Sequence, residues 1–300
     1  MSWWRTIVRA GTTASMLLAL TVASGCSSDG DRSAGPTPAA SDVVASSAAP
    51  NLQPTPNLVV RNDLAEVFAQ AGTTGTFALH DVTGGQLTVV NQSRAERPYP
   101  PASTFKIPHS LIALETGVVA DENEKIPYGG KPQRIKEWEQ DMGLRDAVRV
   151  SNVPVFQEIA RRVGPERERE WLRRLGYGNT EIGTVVDRFW LDGPLAISAR
   201  DQALWLSRLA RAELPASAAH QRLVRDILRL EQRDGYTLYG KTGWTTATEP
   251  GLGWWVGWVE RDDRLYCFAL NLDMTRDADA PKRVATGREL LRRLDVLPVG

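Results

Sequence analysis

The sequence has few of the residues that build metal sites. Its 300 residues include only two cysteines, Cys26 and Cys267, and three histidines, His80, His109 and His220. It contains no CxxC pair and no HExxH motif, and the histidines are far apart in the chain. These absences argue against a structural zinc site and against a histidine-rich metal centre. Because Cys267 lies in an apolar run, we expect it to be a buried and inert small hydrophobic residue.

The sequence also lacks an excess of charge of either sign. Lysine and arginine total 36, and aspartate and glutamate total 36, so the formal net charge at pH 7 is zero. A basic surplus is typical of proteins that bind nucleic acid, so nucleic acid is not an expected partner. The hydrophobic fraction of 42% and the charged fraction of 24% are ordinary for a globular domain.

The N-terminal segment contains an apolar stretch that is too short to cross a bilayer. This stretch, Ala14–Ala23, follows Arg5 and Arg9, whereas a membrane span needs about 20 apolar residues. A basic start, a short apolar middle and small residues predict a secretory signal over residues 1–25. Ala23-Ser24-Gly25-Cys26 resembles the processing box of bacterial lipoproteins, which implies that Cys26 is lipidated. Ordinary signal cleavage, which leaves a soluble product, is the alternative.

Residues 26–57 are rich in small and polar residues and in proline. Such a segment cannot bury enough apolar surface to offset its ordering entropy, so we predict a disordered linker. The folded domain is then expected over residues 58–300. These features predict a protein exported to the bacterial cell envelope or periplasm, with membrane contact only through a lipid anchor on Cys26.

The periodicity of the remaining sequence predicts an α+β domain. Short β-prone runs occur near both ends of the domain: Thr76–His80, Gln86–Val90, Tyr236–Thr242, Gly253–Glu260 and Arg264–Leu272. Helical periodicity occupies the middle and the C-terminal end: Phe105–Thr116, Val155–Val163, Glu166–Leu175, Ala199–Arg211, His220–Leu230 and Ala280–Leu294. We therefore predict one antiparallel sheet flanked by helices, an all-helical lobe, and an active site in the cleft between them.

Ser103 and Lys106 are the first candidates for chemistry. Pro100 and Pro101 suit an extended approach to a helix start, which places Ser103 in the first turn. Lys106 follows by three residues and shares its face of the helix. A serine is a weak nucleophile without an adjacent base, and no GxSxG elbow is present, so Lys106 is the best candidate base. His109 lies one turn further along, where a surface or packing role is expected.

Further motifs follow the SxxK sequence in a fixed order. Ser151-Asn152-Val153 stands at a predicted helix start, and Lys241-Thr242-Gly243 lies on a predicted strand. Gly243 leaves room where a ligand must approach the backbone. Between these motifs lie Tyr177-Gly178-Asn179 and Phe189-Trp190-Leu191. We expect Tyr177 to anchor a loop.

This ordered set resembles the penicillin-recognising serine enzymes. Ser-x-Val in place of S-D-N, together with Tyr-Gly-Asn and Phe-Trp, resembles the class D (oxacillinase-type) β-lactamases in particular. The segments Ser151–Ala160, Asp187–Ser198 and Pro250–Glu260 resemble that family as well. The resemblance implies the β-lactamase/transpeptidase-like fold, a β-lactam as substrate and hydrolysis through a serine acyl-enzyme.

The resemblance also implies a role for each motif residue. Ser103 attacks the lactam carbonyl, and the backbone N–H groups of Ser103 and Trp244 form the oxyanion hole. Ser151 relays a proton to the leaving nitrogen. Lys241 and Thr242 bind the substrate carboxylate together with Arg283, for which Lys282 and Arg288 are the nearby alternatives. The other implied substrate-binding residues are Val153, Leu191 and Gly243.

Lys106 carries a further expectation. Apolar burial lowers the pKa of a lysine, and the neutral amine can add carbon dioxide to become a carbamate. In the family this lysine is carboxylated, which implies that carbon dioxide or bicarbonate is needed and no other cofactor. Trp190 is expected to hydrogen-bond the modified Lys106, and Val153, Leu191 and Phe105 are expected to form the apolar wall around it.

Three other functions fit part of this pattern. A β-lactam-sensing domain would share the SxxK, YGN and KTG motifs, but such receptors carry several transmembrane helices and tend to have asparagine at the position of Val153. A cell-wall D,D-peptidase is disfavoured by the Ser-x-Val and Phe-Trp motifs. An inert structural protein is disfavoured because no motif residue is missing.

Overall fold

The computed structural model describes residues 55–298, and the predicted signal peptide, Cys26 and most of the predicted linker lie outside that range. Within it, the strands are β1 (Asn57–Val60), β2 (Gly75–Asp81), β3 (Gln86–Val90), β4 (Arg229–Arg233), β5 (Tyr236–Thr245), β6 (Gly251–Arg261) and β7 (Arg264–Met274). The helices are α1 (Glu66–Gln70), α2 (Gln92–Glu96), α3 (Lys106–Glu115), α4 (Leu144–Arg149), α5 (Val153–Val163), α6 (Pro165–Leu175), α7 (Ala199–Ala210), α8 (Ala218–Leu228) and α9 (Lys282–Arg293).

The strands form one seven-stranded sheet with the order β1-β3-β2-β7-β6-β5-β4. The two predicted hairpins, β2–β3 and β6–β7, are present as antiparallel pairs. Positive φ angles at Asp262 and Asp263 allow the second of these to turn tightly. The predicted α+β class is confirmed.

Two edge strands differ from the sequence-based prediction. β1 pairs with β3 in the parallel direction, so the sheet is not wholly antiparallel, and β1 begins at Asn57, one residue before the predicted domain start. At the other edge, the predicted helix His220–Leu230 ends at Leu228, and Arg229 begins β4. The polar sequence of β4 has no alternation of apolar residues, because both of its faces are largely exposed.

Each face of the sheet is covered by helices, and successive side chains of β6 pack into the cores on the two opposite faces. Trp254 packs into the core shared with the helical lobe, whereas Trp255 packs into the core on the opposite face, because successive side chains of a strand point to opposite faces. Helix α7 lies against β2, β6 and β7, and α9 lies against β6 and β7 with α1 beside it. In the described part of the chain, no helix has the length and apolarity required to span a bilayer.

Candidate active site

Ser103 lies in a single 3-10 turn, Ala102–Phe105, that leads directly into α3. Ala102 has a φ of 50°, a left-handed conformation that is strained for a residue with a side chain and costs on the order of 1–3 kcal/mol. Its N–H donates to the Trp190 carbonyl at 2.8 Å, which ties the turn to the segment before Leu191. The fixed turn presents Ser103 to the cleft, although only 9% of this residue is exposed.

Lys106 is the partner of Ser103, since the two side chains are joined by a 3.0 Å hydrogen bond between Nζ and Oγ. Lys106 is fully buried, and its Nζ lies 5.1 Å from the centre of the Phe156 ring. Burial, and to a lesser degree the positive charge of Lys241, holds the pKa of Lys106 well below its usual value. A larger share of this amine is therefore neutral than in an exposed lysine at the same pH, and the neutral amine can act as a base.

The second serine meets the lysine of the KTG motif. Lys241 on β5 reaches Ser151 with an Nζ–Oγ distance of 2.9 Å and also donates to the Thr242 carbonyl at 2.9 Å. Burial, followed by the charge of Arg283, lowers the pKa of Lys241 from 10.5 to about 7. Ser151 itself has a φ of 60°, in the left-handed region, and Ser103 directly follows the left-handed Ala102. A strained backbone conformation therefore occurs at or next to each serine of the site.

Gly243 allows strand β5 to approach the nucleophile. A Cβ at this position would lie 3.1 Å from the Pro101 carbonyl oxygen and 3.3 Å from the Ser103 backbone nitrogen. Only glycine permits this separation without movement of the backbone. Trp244 follows directly on the strand and lines the cleft, and its role with the Ser103 N–H as an oxyanion hole stays a prediction.

Of the three candidate cations near the C-terminus, only Arg283 lines the cleft. Its Nη1 donates to the Gly243 carbonyl at 2.7 Å, and its Nε donates to the Ala280 carbonyl at 2.8 Å. Burial lowers the pKa of Arg283 to about 10. The alternatives are engaged elsewhere, because Lys282 pairs with Asp279 and Arg288 pairs with Glu231.

Trp190 lies at the inner side of the site. Its ring is fully buried and stacks on Phe105 with a centroid distance of 5.6 Å. The indole N–H is buried and has no hydrogen-bond partner among residues 55–298. An unpaired buried donor costs about 1–3 kcal/mol, and a group bound beside Trp190 that accepts this N–H would remove that cost. The adjoining Leu191 carbonyl accepts from the Thr245 hydroxyl at 2.7 Å, which joins this segment to β5.

These groups surround one cleft of about 540 Å³ between the sheet and the helical lobe. The cleft is lined by the predicted residues Ser103, Ser151, Val153, Leu191, Thr242, Gly243, Trp244 and Arg283. Lys106, Trp190 and Lys241 are almost entirely buried. The cleft is also lined by residues that the sequence motifs did not predict, namely Arg134, Ile135, Trp138, Arg188, Asp192, Thr245, Thr246 and Asp277.

Comparison with known proteins identifies the family. Residues 65–292 match the family of the penicillin binding protein transpeptidase domain. The β-lactamase OXA-5 of Pseudomonas aeruginosa is 42% identical over 227 residues, which cover 75% of this chain and 85% of the relative. The β-lactamase OXA-48 of Klebsiella pneumoniae is 40% identical over 231 residues, covering 77% and 87% respectively. The chain belongs to the class D β-lactamases.

A solved structure of the same class agrees with the observed fold. The class D β-lactamase FUS-1 (OXA-85) from Fusobacterium nucleatum subsp. polymorphum superposes with a TM-score of 0.77 at 40% identity, covering 80% of this chain and all of that one. As a class D β-lactamase, this chain is a serine hydrolase, as the motifs predicted. Membership separates it from the sensor, peptidase and inert alternatives.

The mouth of this class D site carries an ion pair that the sequence did not indicate. Arg134 Nη2 lies 2.9 Å from Asp277 Oδ2, and the Arg134 guanidinium stands 5.4 Å from the centre of the Trp244 ring. The pair joins the two sides of the cleft, yet its members are 143 residues apart, so no local pattern could reveal it. Within residues 55–298, no group of three or more His, Cys, Asp or Glu side chains is arranged to hold a metal ion.

Proposed function

We propose that this chain hydrolyses the β-lactam ring of penicillin-type antibiotics through an acyl-enzyme on Ser103. One observation carries the proposal, namely the 3.0 Å contact between Ser103 Oγ and Lys106 Nζ at the inner end of the cleft. Because burial lowers the pKa of Lys106, its side chain is better suited than an exposed lysine to take the serine proton.

Acylation uses the groups around the nucleophile in sequence. Ser103 Oγ bonds to the lactam carbonyl carbon while its proton passes to the side chain of Lys106. The developing oxyanion accepts hydrogen bonds from the N–H groups of Ser103 and Trp244. Ser151, which accepts a hydrogen bond from Lys241, donates its proton to the ring nitrogen as the C–N bond breaks, and Lys241 returns a proton to Ser151. The proton that Lys106 took is released to solvent, from which Lys241 regains one. Lys106 then accepts a proton from the water that attacks the Ser103 ester, and this proton passes to Ser103 Oγ as the ester bond breaks and the opened product leaves.

The substrate carboxylate binds in the same cleft, beside strand β5 and helix α9. Arg283 lines the cleft beside Gly243, and Lys241 and Thr242 precede that glycine on β5. Arg283 and the protonated form of Lys241 attract an anion and orient the lactam carbonyl over Ser103.

We further propose that Lys106 acts as its N-carboxylated form. The buried amine of lowered pKa is the form whose lone pair can bond to carbon dioxide with loss of a proton. The unpartnered Trp190 indole N–H is a donor suited to hold the resulting carboxylate. When bound, carbon dioxide supplies an anionic base within reach of Ser103. Phe105, Phe156 and Trp190 keep bulk water away from that base.

The direct experiment is nitrocefin hydrolysis by purified residues 27–300. The wild-type protein should turn nitrocefin over, and the turnover should decrease after carbon dioxide is removed and recover on addition of bicarbonate. Ser103→Ala should show no turnover under either condition. Turnover by Ser103→Ala would disprove the nucleophile, whereas brisk wild-type turnover without any bicarbonate response would disprove carboxylation alone.

Export and anchoring complete the proposal. The Arg5, Arg9 and Ala14–Ala23 pattern followed by Cys26 supports an exported protein of the cell envelope or periplasm with lipid on Cys26. The segment between Cys26 and β1 would then act as a spacer that separates the enzyme from the membrane surface.

A further inference from the structure

A fully buried histidine–glutamate pair lies behind the catalytic lysine. His109 on α3 and Glu168 on α6 are joined by a 2.8 Å contact between Nε2 and Oε1, and neither side chain is exposed to solvent. Of the two roles expected for His109, surface or packing, the structure shows the interior one. No step of the proposed reaction uses either residue.

The His109 ring contacts the residues that surround Lys106. It follows Lys106 by three positions on α3, so both side chains project from one face of the helix. Its ring centre lies 5.3 Å from Trp190, 5.0 Å from Phe105 and 5.6 Å from Phe156. The Phe156 ring is itself 5.1 Å from Lys106 Nζ. His109 therefore supports the aromatic enclosure of Lys106 from behind.

Fold stability does not explain why this pair is polar. A buried pair of hydrogen-bonded polar side chains is often no more stable than two apolar side chains of similar volume, because both polar groups lose their hydration. Here His109 Nδ1 and Glu168 Oε2 also lack hydrogen-bond partners in the described structure, which adds to that loss. What the hydrogen bond does provide is a fixed orientation of the imidazole ring against Trp190.

We propose that His109, oriented by Glu168, is a positioning residue that holds the Trp190 indole N–H where the carboxylated Lys106 needs it. The inference rests on the carboxylation proposed above. If the His109 imidazole could rotate or move away, the Trp190 indole that it contacts could shift from its position. The affinity of Lys106 for carbon dioxide would fall, and with it the rate at which the acyl-enzyme is hydrolysed.

The test is a bicarbonate titration of the purified whole chain. After carbon dioxide is removed, nitrocefin turnover is measured against added bicarbonate, and ¹³C NMR in labelled bicarbonate records the carbamyl resonance. Trp190→Phe removes the indole N–H. Its half-saturating bicarbonate concentration therefore shows the effect of losing this hydrogen bond completely. His109→Gln keeps a donor for Glu168 but removes the ring, and its half-saturating bicarbonate concentration should rise about tenfold, as expected for weakening one hydrogen bond.

Variants of Glu168 separate orientation of the ring from charge. Glu168→Gln replaces the carboxyl group by an amide but keeps an acceptor for His109, so the half-saturating bicarbonate concentration should stay within about threefold of wild type. Glu168→Leu removes the acceptor and should resemble His109→Gln. The matched control is His220→Gln. His220 pairs with Glu115 at 2.7 Å near the end of the same helix α3, away from the cleft, and its loss should leave half-saturation unchanged.

The outcomes distinguish this inference from the proposed function. A wild-type protein without a bicarbonate response or a carbamyl resonance would remove the basis of both. A normal wild-type response with unchanged half-saturation in folded His109→Gln would overturn the positioning role alone. Should His109→Gln not fold, Glu168→Leu decides by the same criterion. Failure of both variants to fold would assign the pair to stability and also overturn the proposal.

Discussion

Lys241 Nζ lies 2.9 Å from Ser151 Oγ, which joins strand β5 to the backbone between helices α4 and α5. The contact connects the sheet to the helical lobe directly beside the nucleophile. It requires a buried lysine, and burial is unfavourable for an ammonium group. The pKa of Lys241 is lowered because burial disfavours its charged form.

Replacing Lys241 should change how the stability of the fold depends on pH. The pKa of Lys241 is about 7 in the folded chain, against an ordinary 10.5, so between these values the unfolded chain binds more protons and stability rises with pH. Lys241→Met removes the free-energy cost of burying the ammonium group, on the order of a few kcal/mol at low pH. The loss of the lysine's hydrogen bonds reduces the net gain in stability by about 1 kcal/mol. Its unfolding midpoint should exceed that of wild type most at pH 6.

Thermal unfolding of Lys241→Met and wild type across pH 6–10 provides the measurement. The difference between the midpoints should narrow as the pH approaches 10. The exposed Lys131 offers a matched control, Lys131→Met. A difference that stays constant across the range would show that Lys241 is not held at a lowered pKa.

Arg283→Ala should weaken substrate binding more than it slows catalysis. Arg283 lines the cleft and touches the Gly243 carbonyl rather than either serine. Its interaction with a carboxylate persists from the bound substrate to the transition state, so KM should rise about tenfold or more while kcat changes about threefold or less. Steady-state kinetics with benzylpenicillin give both values, and Lys282→Ala is the control. An equal loss with the methyl ester of the substrate would count against a carboxylate contact.

Val153→Asn should make the protein accumulate a stable penicillin acyl-enzyme instead of turning penicillin over. Val153 begins α5 and lines the cleft two residues after Ser151. An amide there would offer Lys106 a polar partner and favour its ammonium form. Hydrolysis of the acyl-enzyme should slow about 100-fold, and more than its formation. Mass spectrometry over time should show a persistent penicillin adduct, while Val153→Ala should still turn over. An adduct as short-lived as that of wild type would reduce Val153 to a packing residue.

Cys26→Ala should release the protein from the membrane. The motivating observation is the placement of Cys26 after Ala23-Ser24-Gly25. Expressed in a bacterium, the wild-type protein should partition into detergent and the variant should not. A mature N-terminus at another residue, found by mass spectrometry of the wild-type protein, would refute lipidation.

The sequence predicted the elements whose patterns are local. β5, β6 and β7 carry long β-prone runs. The predicted helices α3 and α5 to α9 agree with the structure within about two residues at every end. β1 and β4 were not predicted, because both are short strands at the edges of the sheet. The parallel pairing of β1 with β3 depends on the path of the chain between the two strands rather than on the residues of β1.

For the site, the ordered motifs were sufficient to name the groups around Ser103, because each motif keeps its residues adjacent in the chain. The contacts that lie outside motifs could not be predicted. Glu168 stands on a helix rich in charged residues, and nothing in that pattern indicates that this one carboxylate turns inward to meet His109, 59 residues away. Such pairings appear only when helices pack.

The assignment of Ser103 as the nucleophile is tested by measuring the mass of the protein after brief mixing with benzylpenicillin and an acid quench. We expect the wild-type protein to gain the mass of one benzylpenicillin, the adduct to map to Ser103, and the adduct to disappear as the substrate is consumed. Ser103→Ala should gain no mass at any time. An adduct on another residue, or one that forms equally in Ser103→Ala, would contradict the assignment of Ser103 as the nucleophile.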